Sequence, residues 1–148
     1  MAEKATRQTT IAAPVERCYE VVADFERYPE WAADVKDVDV ARRDDQGRGI
    51  EVAFRTAAMG RSTNYVLLYD HGAAPGALSW RLLSGDIMTC LDGSYTFEAA
   101  EGDPESTDVT YHLTIELLLP LPGFVKRRAE ARIIKTALRE LKAHLEGS

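Results

Sequence analysis

From Val35 to Leu119 the apolar residues of this chain recur with a period of two, and no helical stretch interrupts them. Val38 and Val40 alternate with charges; Ile50, Val52 and Phe54 alternate with Glu51, Ala53 and Arg55. Asn64, Val66 and Leu68 share one side of the next run, and Thr63, Tyr65, Leu67 and Tyr69 the other, so that strand is apolar on both faces and belongs mid-sheet. Leu78 to Leu83, Met88 to Glu98 and Val109 to Leu117 complete six strands, separated where Gly, Pro, Ser and Asp gather: Gly60 and Arg61, His71 to Ala77, Ser84 to Asp86, and the exposed acidic loop Glu101 to Asp108. Gly93, inside its strand, predicts a bulge or bend. Hairpin links make this block antiparallel, and an antiparallel sheet must cover its apolar face.

The cover is at the end of the chain. Ala131, Ile134, Leu138, Leu141 and Leu145 recur at three and four with Lys and Arg between them. That spacing predicts an amphipathic helix of about 24 residues, roughly 36 Å long, starting after the Pro-Leu-Pro-Gly of Pro120 to Gly123. Upstream, Thr6 to Ala12 reads as a strand stopped at Pro14. Val15, Cys18, Tyr19, Val22 and Phe25 then place one face of a helix in the core, and Pro29 bends the chain into a second short helix across Phe25 to Val35. The order is strand, two short helices, six strands, one long helix: an α+β fold with seven antiparallel strands. One helix about 10 Å wide cannot fill the hollow of seven twisted strands, so a cavity is expected between them.

A length of 148 residues predicts one domain, 1–148. Its net charge of -6 repels phosphate backbones, and no nucleic-acid partner is expected. The charge is uneven: from Lys126 to Glu146 seven Lys or Arg face three Glu, which makes the last helix a basic stripe on an acidic body. Cys18 and Cys90 show no metal-ligand spacing and are read as reduced thiols. The opening residues lack the apolar core of a signal peptide and no apolar run reaches the length of a membrane span. A cytoplasmic protein without stable membrane insertion follows as an expectation, with peripheral contact left open and a monomeric or homodimeric state.

This order of elements, with ADFERYPEW at Ala23 to Trp31, SWRLLSGD at Ser79 to Asp86, GSYTFE at Gly93 to Glu98 and LPLPGF at Leu119 to Phe124, resembles the START-like (SRPBCC) superfamily of helix-grip proteins. More narrowly it is similar to the polyketide cyclase/dehydrase and coenzyme-Q-binding branch. The resemblance runs from Thr6 to the end of the chain. It implies a curved sheet wrapped around the C-terminal helix and a hydrophobic tunnel between them, with Trp31 at the bend where the tunnel opens.

Ligand sites are mostly apolar with a few placed polar groups, so aromatic residues on the strands, and polar residues that interrupt them, are the candidates. The ligand-binding set is Trp31, Phe54, Arg55, Tyr65, Trp80, Arg81, Tyr95, Tyr111 and His112. Within it Arg55 and Arg81 are the choices for orienting a carboxylate or ketone oxygen, because a charge turned inward needs a partner. Thr110, His112, Thr114 and Glu116 share what reads as the wet face of the last strand. The leading expectation is binding or transport of a small hydrophobic molecule: a lipid, an isoprenoid quinone or a polyketide-like aromatic. The alternatives are a cyclase/aromatase acting on a poly-β-ketone, with Tyr65, Arg81, Asp86 and His112 as acid, base or oxyanion donors, and an interaction module using the basic helix. No spacing ties those four together, and no nucleophile elbow, phosphate loop or zinc-protease helix is present, so catalytic residues are not assigned. The lone Gly-Arg-Gly at Gly47 to Gly49 is a turn; His71, His112 and His144 make no metal site, and no cofactor is expected.

Overall fold

Pro14 sets the first corner of the chain. With no N–H to give a ladder, it ends β1 (Glu3–Ile11) and caps α1 (Val15–Ala23), its carbonyl accepting the first helical bonds from Arg17 and Cys18. The computed structural model describes residues 3–58, 60–118 and 122–147. After α1 comes a 3-10 helix (Phe25–Glu30), then β2 (Val35–Arg43), β3 (Gly49–Ala58), β4 (Arg61–Asp70), β5 (Ala77–Gly85), β6 (Met88–Ala100), β7 (Asp103–Leu117) and α2 (Gly123–Glu146). The strands form one open antiparallel sheet in the order β1-β7-β6-β5-β4-β3-β2, so β1 returns to pair with the last strand.

Four local expectations change. β1 begins at Glu3, three residues early, because its whole length finds partners on β7 from Ile115 to Thr107. The second short helix stops at Glu30: the Tyr28 carbonyl collects the N–H groups of both Trp31 and Ala32, closing the turn, and β2 starts at Val35. The acidic stretch is a loop only at Glu101 and Gly102; from Asp103 it is strand, and the register shift beside Asp103 leaves Pro104 without a ladder bond to supply. Leu119, Pro120 and Leu121, read as the end of the sheet and the start of the last helix, lie outside the described residues.

Gly93 is no bulge: β6 stays in register with β7 from Leu91 to Ala99. Two close approaches require the glycine instead. A Cβ there would stand 2.5 Å from the His112 carbonyl oxygen and 2.6 Å from the Trp80 ring. The backbone oxygen cannot yield as a flexible side chain would. Gly93→Ala is expected to destabilise by ~1–3 kcal/mol, read as a lowered urea midpoint; an unchanged midpoint contradicts this packing.

The core is built from α1 (Cys18, Val21, Val22), Phe25, the inward residues of the strands, and one row on α2: Ile134, Leu138, Leu141 and Leu145. That row packs against β1 and β7. The last turn of α2 is tied to β1, where Glu146 accepts the Ala12 N–H at 2.8 Å and Lys142 donates to Glu146 and to the Thr10 carbonyl. The Lys142 bond, then the Ala12 bond, hold the Glu146 carboxyl below the ordinary 4.5. A depressed folded-state pKa means stability present above 4.5 and lost as pH falls through the folded value. The stability gap between the wild type and Glu146→Gln should therefore be open at neutral pH and close in acid, as urea titrations at the two pH values would read.

Candidate functional site

The helices leave the middle of the concave face uncovered. α1 lies over β5, β6 and β7 at one end, the 3-10 helix leans on β2, and α2 follows β1 and β7. Beside its buried row α2 carries a second stripe, Val125, Ala129, Ile133, Thr136 and Ala137, which looks across a gap to the inner faces of β3 to β7. Ala129 and Ala137 are too short to reach over. The gap is a half-enclosed cavity of about 520 Å³, the size of a small-molecule site.

Six of the candidate residues meet there: Trp31, Phe54, Tyr65, Trp80, Tyr95 and Tyr111 all line the cavity, with Tyr28 and Tyr69 beside them. Their rings form a continuous wall. Phe54 stacks on Tyr65 with centroids 5.4 Å apart, Tyr69 meets Trp80 at 5.8 Å, and Tyr95 and Tyr111 cross edge to face at 4.7 Å. Trp31 is stacked on His144 of α2 at 5.9 Å; two residues on, the Ala33 N–H donates to Glu140 at 3.1 Å. The bend is thus fastened to α2.

The wall is apolar in its rings and polar at its tips. Burial raises the pKa of Tyr28, Tyr65, Tyr69, Tyr95 and Tyr111, and for Tyr28, Tyr69, Tyr95 and Tyr111 neighbouring phenols add to the effect, which places several hydroxyls close together. All five stay neutral and act as hydrogen-bond donors, not bases. Tyr28 spends its proton on the Val22 carbonyl, and Tyr65 has the Thr56 hydroxyl near it. The hydroxyls of Tyr69, Tyr95 and Tyr111 find no protein partner among the described residues, nor are they sealed away as buried unsatisfied groups. They therefore open on the cavity and offer donors to whatever occupies it.

Arg55, Arg81 and His112 are placed differently, and their candidacy as cavity residues is corrected. Each follows an inward aromatic residue by one position, and the period of two turns it to the outer face. Arg55 donates to Asp37 of β2 at 2.6 Å, Arg81 is exposed opposite Leu68, and His112 bonds Thr6 of β1 at 3.0 Å. Asp86 also stands outside, accepting the Asn64 N–H at 3.0 Å. The four residues considered for acid–base work are not brought together: only Tyr65 faces the cavity. Arg55, Asn64 and Asp86 border a separate depression of about 590 Å³, open to solvent on the outer face and rimmed by Asp37 and Asp39.

Sequence reasoning passed over the charged lining residues: Arg61 at the start of β4, Asp34 after the bend, and Arg132 and Glu140 from α2. The available signal was the second helical stripe, since Val125, Ala129, Arg132, Thr136 and Glu140 recur at three and four just beside the leucine row. His71, although buried, belongs elsewhere. It accepts the Tyr19 hydroxyl at Nδ1 and donates from Nε2 to the Gly49 carbonyl, both at 2.7 Å, tying α1 to two strand loops outside the cavity lining. No group of three His, Cys, Asp or Glu able to hold a metal gathers among the described residues.

The profile of the family described as polyketide cyclase/dehydrase and lipid transport matches residues 2–146. The chain belongs to this family. A START superfamily protein from Mycobacterium smegmatis has the same fold, with a TM-score of 0.90 at 22% identity over 97% of each chain. The aromatase/cyclase Zhui from a Streptomyces species is similar at a TM-score of 0.79 and 17% identity, over 98% of this chain and 92% of that one. A major latex-like protein from Panax ginseng follows at 0.74 and 14%, over 98% of each. At these identities the likeness shows the START-like helix-grip fold, which serves more than one activity. None of the curated proteins matches the sequence.

Proposed function

We propose that this member of the polyketide cyclase/dehydrase and lipid transport family binds a small apolar molecule carrying oxygen acceptors, held between the curved sheet and α2. The observation that supports the reading is the aromatic cavity with the unpaired hydroxyls of Tyr69, Tyr95 and Tyr111 opening on it. Ring faces favour a planar molecule, and donors without acceptors favour carbonyl or ether oxygens over a bare hydrocarbon. A ligand that loses ~400 Å² of apolar surface to the cavity gains ~10 kcal/mol at ~25 cal/mol per Å². Association costs ~4 kcal/mol or more, so burial alone gives a Kd of about 40 μM at best, and the phenols add selectivity.

The cyclase reading shares the cavity and the donors, which suit a poly-β-ketone. Its wall phenols do not serve as the base, because their raised pKa keeps them protonated at neutral pH, and of the two lining carboxylates, Asp34 and Glu140, the second already accepts the Ala33 N–H. Binding or carriage is therefore the better-supported function.

Native mass spectrometry of protein purified from its own host, with displacement of an environment-sensitive naphthalene dye by a panel of quinones, aromatic ketones and fatty acids, tests this. The expected result is a co-purified apolar molecule, with quinones and ketones displacing the dye ahead of hydrocarbon chains of equal size. Tyr95→Phe with Tyr111→Phe should weaken the oxygenated ligands about ten-fold per lost hydrogen bond at most, and leave hydrocarbons unchanged. Absence of any bound molecule and of displacement by the whole panel would contradict the reading.

A further inference from the structure

We infer that the exposed flank of α2 docks on an anionic membrane surface. Arg128, Arg132, Lys135 and Arg139 follow one another at four, three and four residues, so they share one helix face over about 16 Å. All four are exposed. Among the described residues the ion pair made within α2 is Lys142–Glu146, and the four cations of the stripe enter none. The helix carboxylates that might neutralise them are engaged elsewhere: Glu130 is buried, Glu140 is turned to Ala33, and Glu146 is bound to Lys142 and Ala12. Like charges at such spacing weaken a helix, and here they persist on a chain of net charge -6. An anionic partner is what the arrangement complements.

Large apolar side chains decide which kind. Phe124 is 57% exposed, Leu118 59% and Ile133 40%. Ile133 and Arg132 line the cavity themselves, and Leu118, whose N–H donates to the Ile87 carbonyl at 2.8 Å, continues the lining residues Leu117 and Ile87. An acidic protein would be met by the cations alone. Phe124, exposed one turn before Arg128 on the side of the Arg and Lys row, fits the boundary between headgroups and acyl chains.

Co-sedimentation with phosphatidylcholine vesicles, with and without about 30% phosphatidylserine, is the test. The protein should pellet with the anionic vesicles alone and be released near 1 M salt, where the Debye length is ~3 Å. Arg128→Gln with Lys135→Gln, neither in the cavity lining, should weaken the partition about 25-fold, at about five-fold per cation. Phe124→Ser should weaken it at unchanged charge. No pelleting at low salt, equal binding to phosphatidylcholine, or undiminished binding by the double variant would overturn the inference. So would binding of soluble poly-glutamate without binding of vesicles. Dye displacement in the same double variant separates the two proposals: loss of vesicle binding with the cavity still loaded supports the flank as a distinct surface. Vesicle binding with an empty cavity leaves docking standing and counts against the ligand reading alone.

Discussion

Ala137→Trp is expected to abolish binding in the cavity while leaving the fold as stable as before or more so. Ala137 lies on the cavity side of α2, half-buried beside the core row, where a methyl group leaves open space in front of the sheet. An indole there occupies room that a ligand needs. Displacing a ligand from only ~110 Å² of apolar contact removes ~2.8 kcal/mol, about a hundred-fold in affinity. The indole itself gains dispersion contacts with the aromatic wall, so the melting temperature should hold or rise. Ala143→Trp, on an exposed position of the same helix, serves as the control and should bind normally. If Ala137→Trp keeps full dye affinity, the ligand does not occupy the space in front of α2.

Leu141→Ala should give the largest loss of stability. The helix is held to the sheet by a single row, and Leu141, at 0% exposure, is central to it between Leu138 and Leu145. The far flank of α2 faces the cavity, so little else can take up the lost contact. Leu→Ala at a fully buried site costs ~2–5 kcal/mol, toward the upper end where the surroundings cannot collapse. The edge of the sheet is regular here, with β1 paired to β7 along its whole length, which resists such a collapse. Urea unfolding followed by circular dichroism should show a lowered midpoint at unchanged slope. A loss below ~1 kcal/mol would mean that the row does not anchor the helix.

How far the sequence carried the fold depended on the length of each periodic signal. The alternation in β7 and the three-and-four spacing in α2 are long, and they correspond to strand Asp103–Leu117 and helix Gly123–Glu146. Short signals misled. Glu101 to Asp108 has the composition of a loop, yet Thr107 and Asp108 pair with both β1 and β6, because a central strand extends as far as its neighbours offer partners. Gly93 carries the same ambiguity: composition names a glycine, and only the neighbouring ring and carbonyl say why it is there.

At the site the aromatic residues were legible as a set, but the phase of each strand was not. Arg55 and Phe54 are consecutive, as are Arg81 and Trp80, and His112 and Tyr111; one member of each pair faces in and the other out. On strands with apolar groups on both sides, alternation fixes that the two differ, not which is inside. Long-range contacts settle the phase, and they place the aromatic member inward every time. The lining charges Arg61, Asp34 and Glu140 converge from a strand end, a bend and a helix far apart in the chain, and no local pattern joins them.

The difference between the two faces supplies the most direct measurement. Backbone and methyl chemical shifts followed during titration with the naphthalene dye distinguish an inner site from an outer one. The predicted result is perturbation at Tyr65, Trp80, Tyr95, Leu113 and Ala137, all on the cavity wall, with Arg81 and His112 silent apart from through-strand effects. Shifts gathered around Arg55, Asn64 and Asp86 on the outer depression, with the inner wall unmoved, would contradict the account.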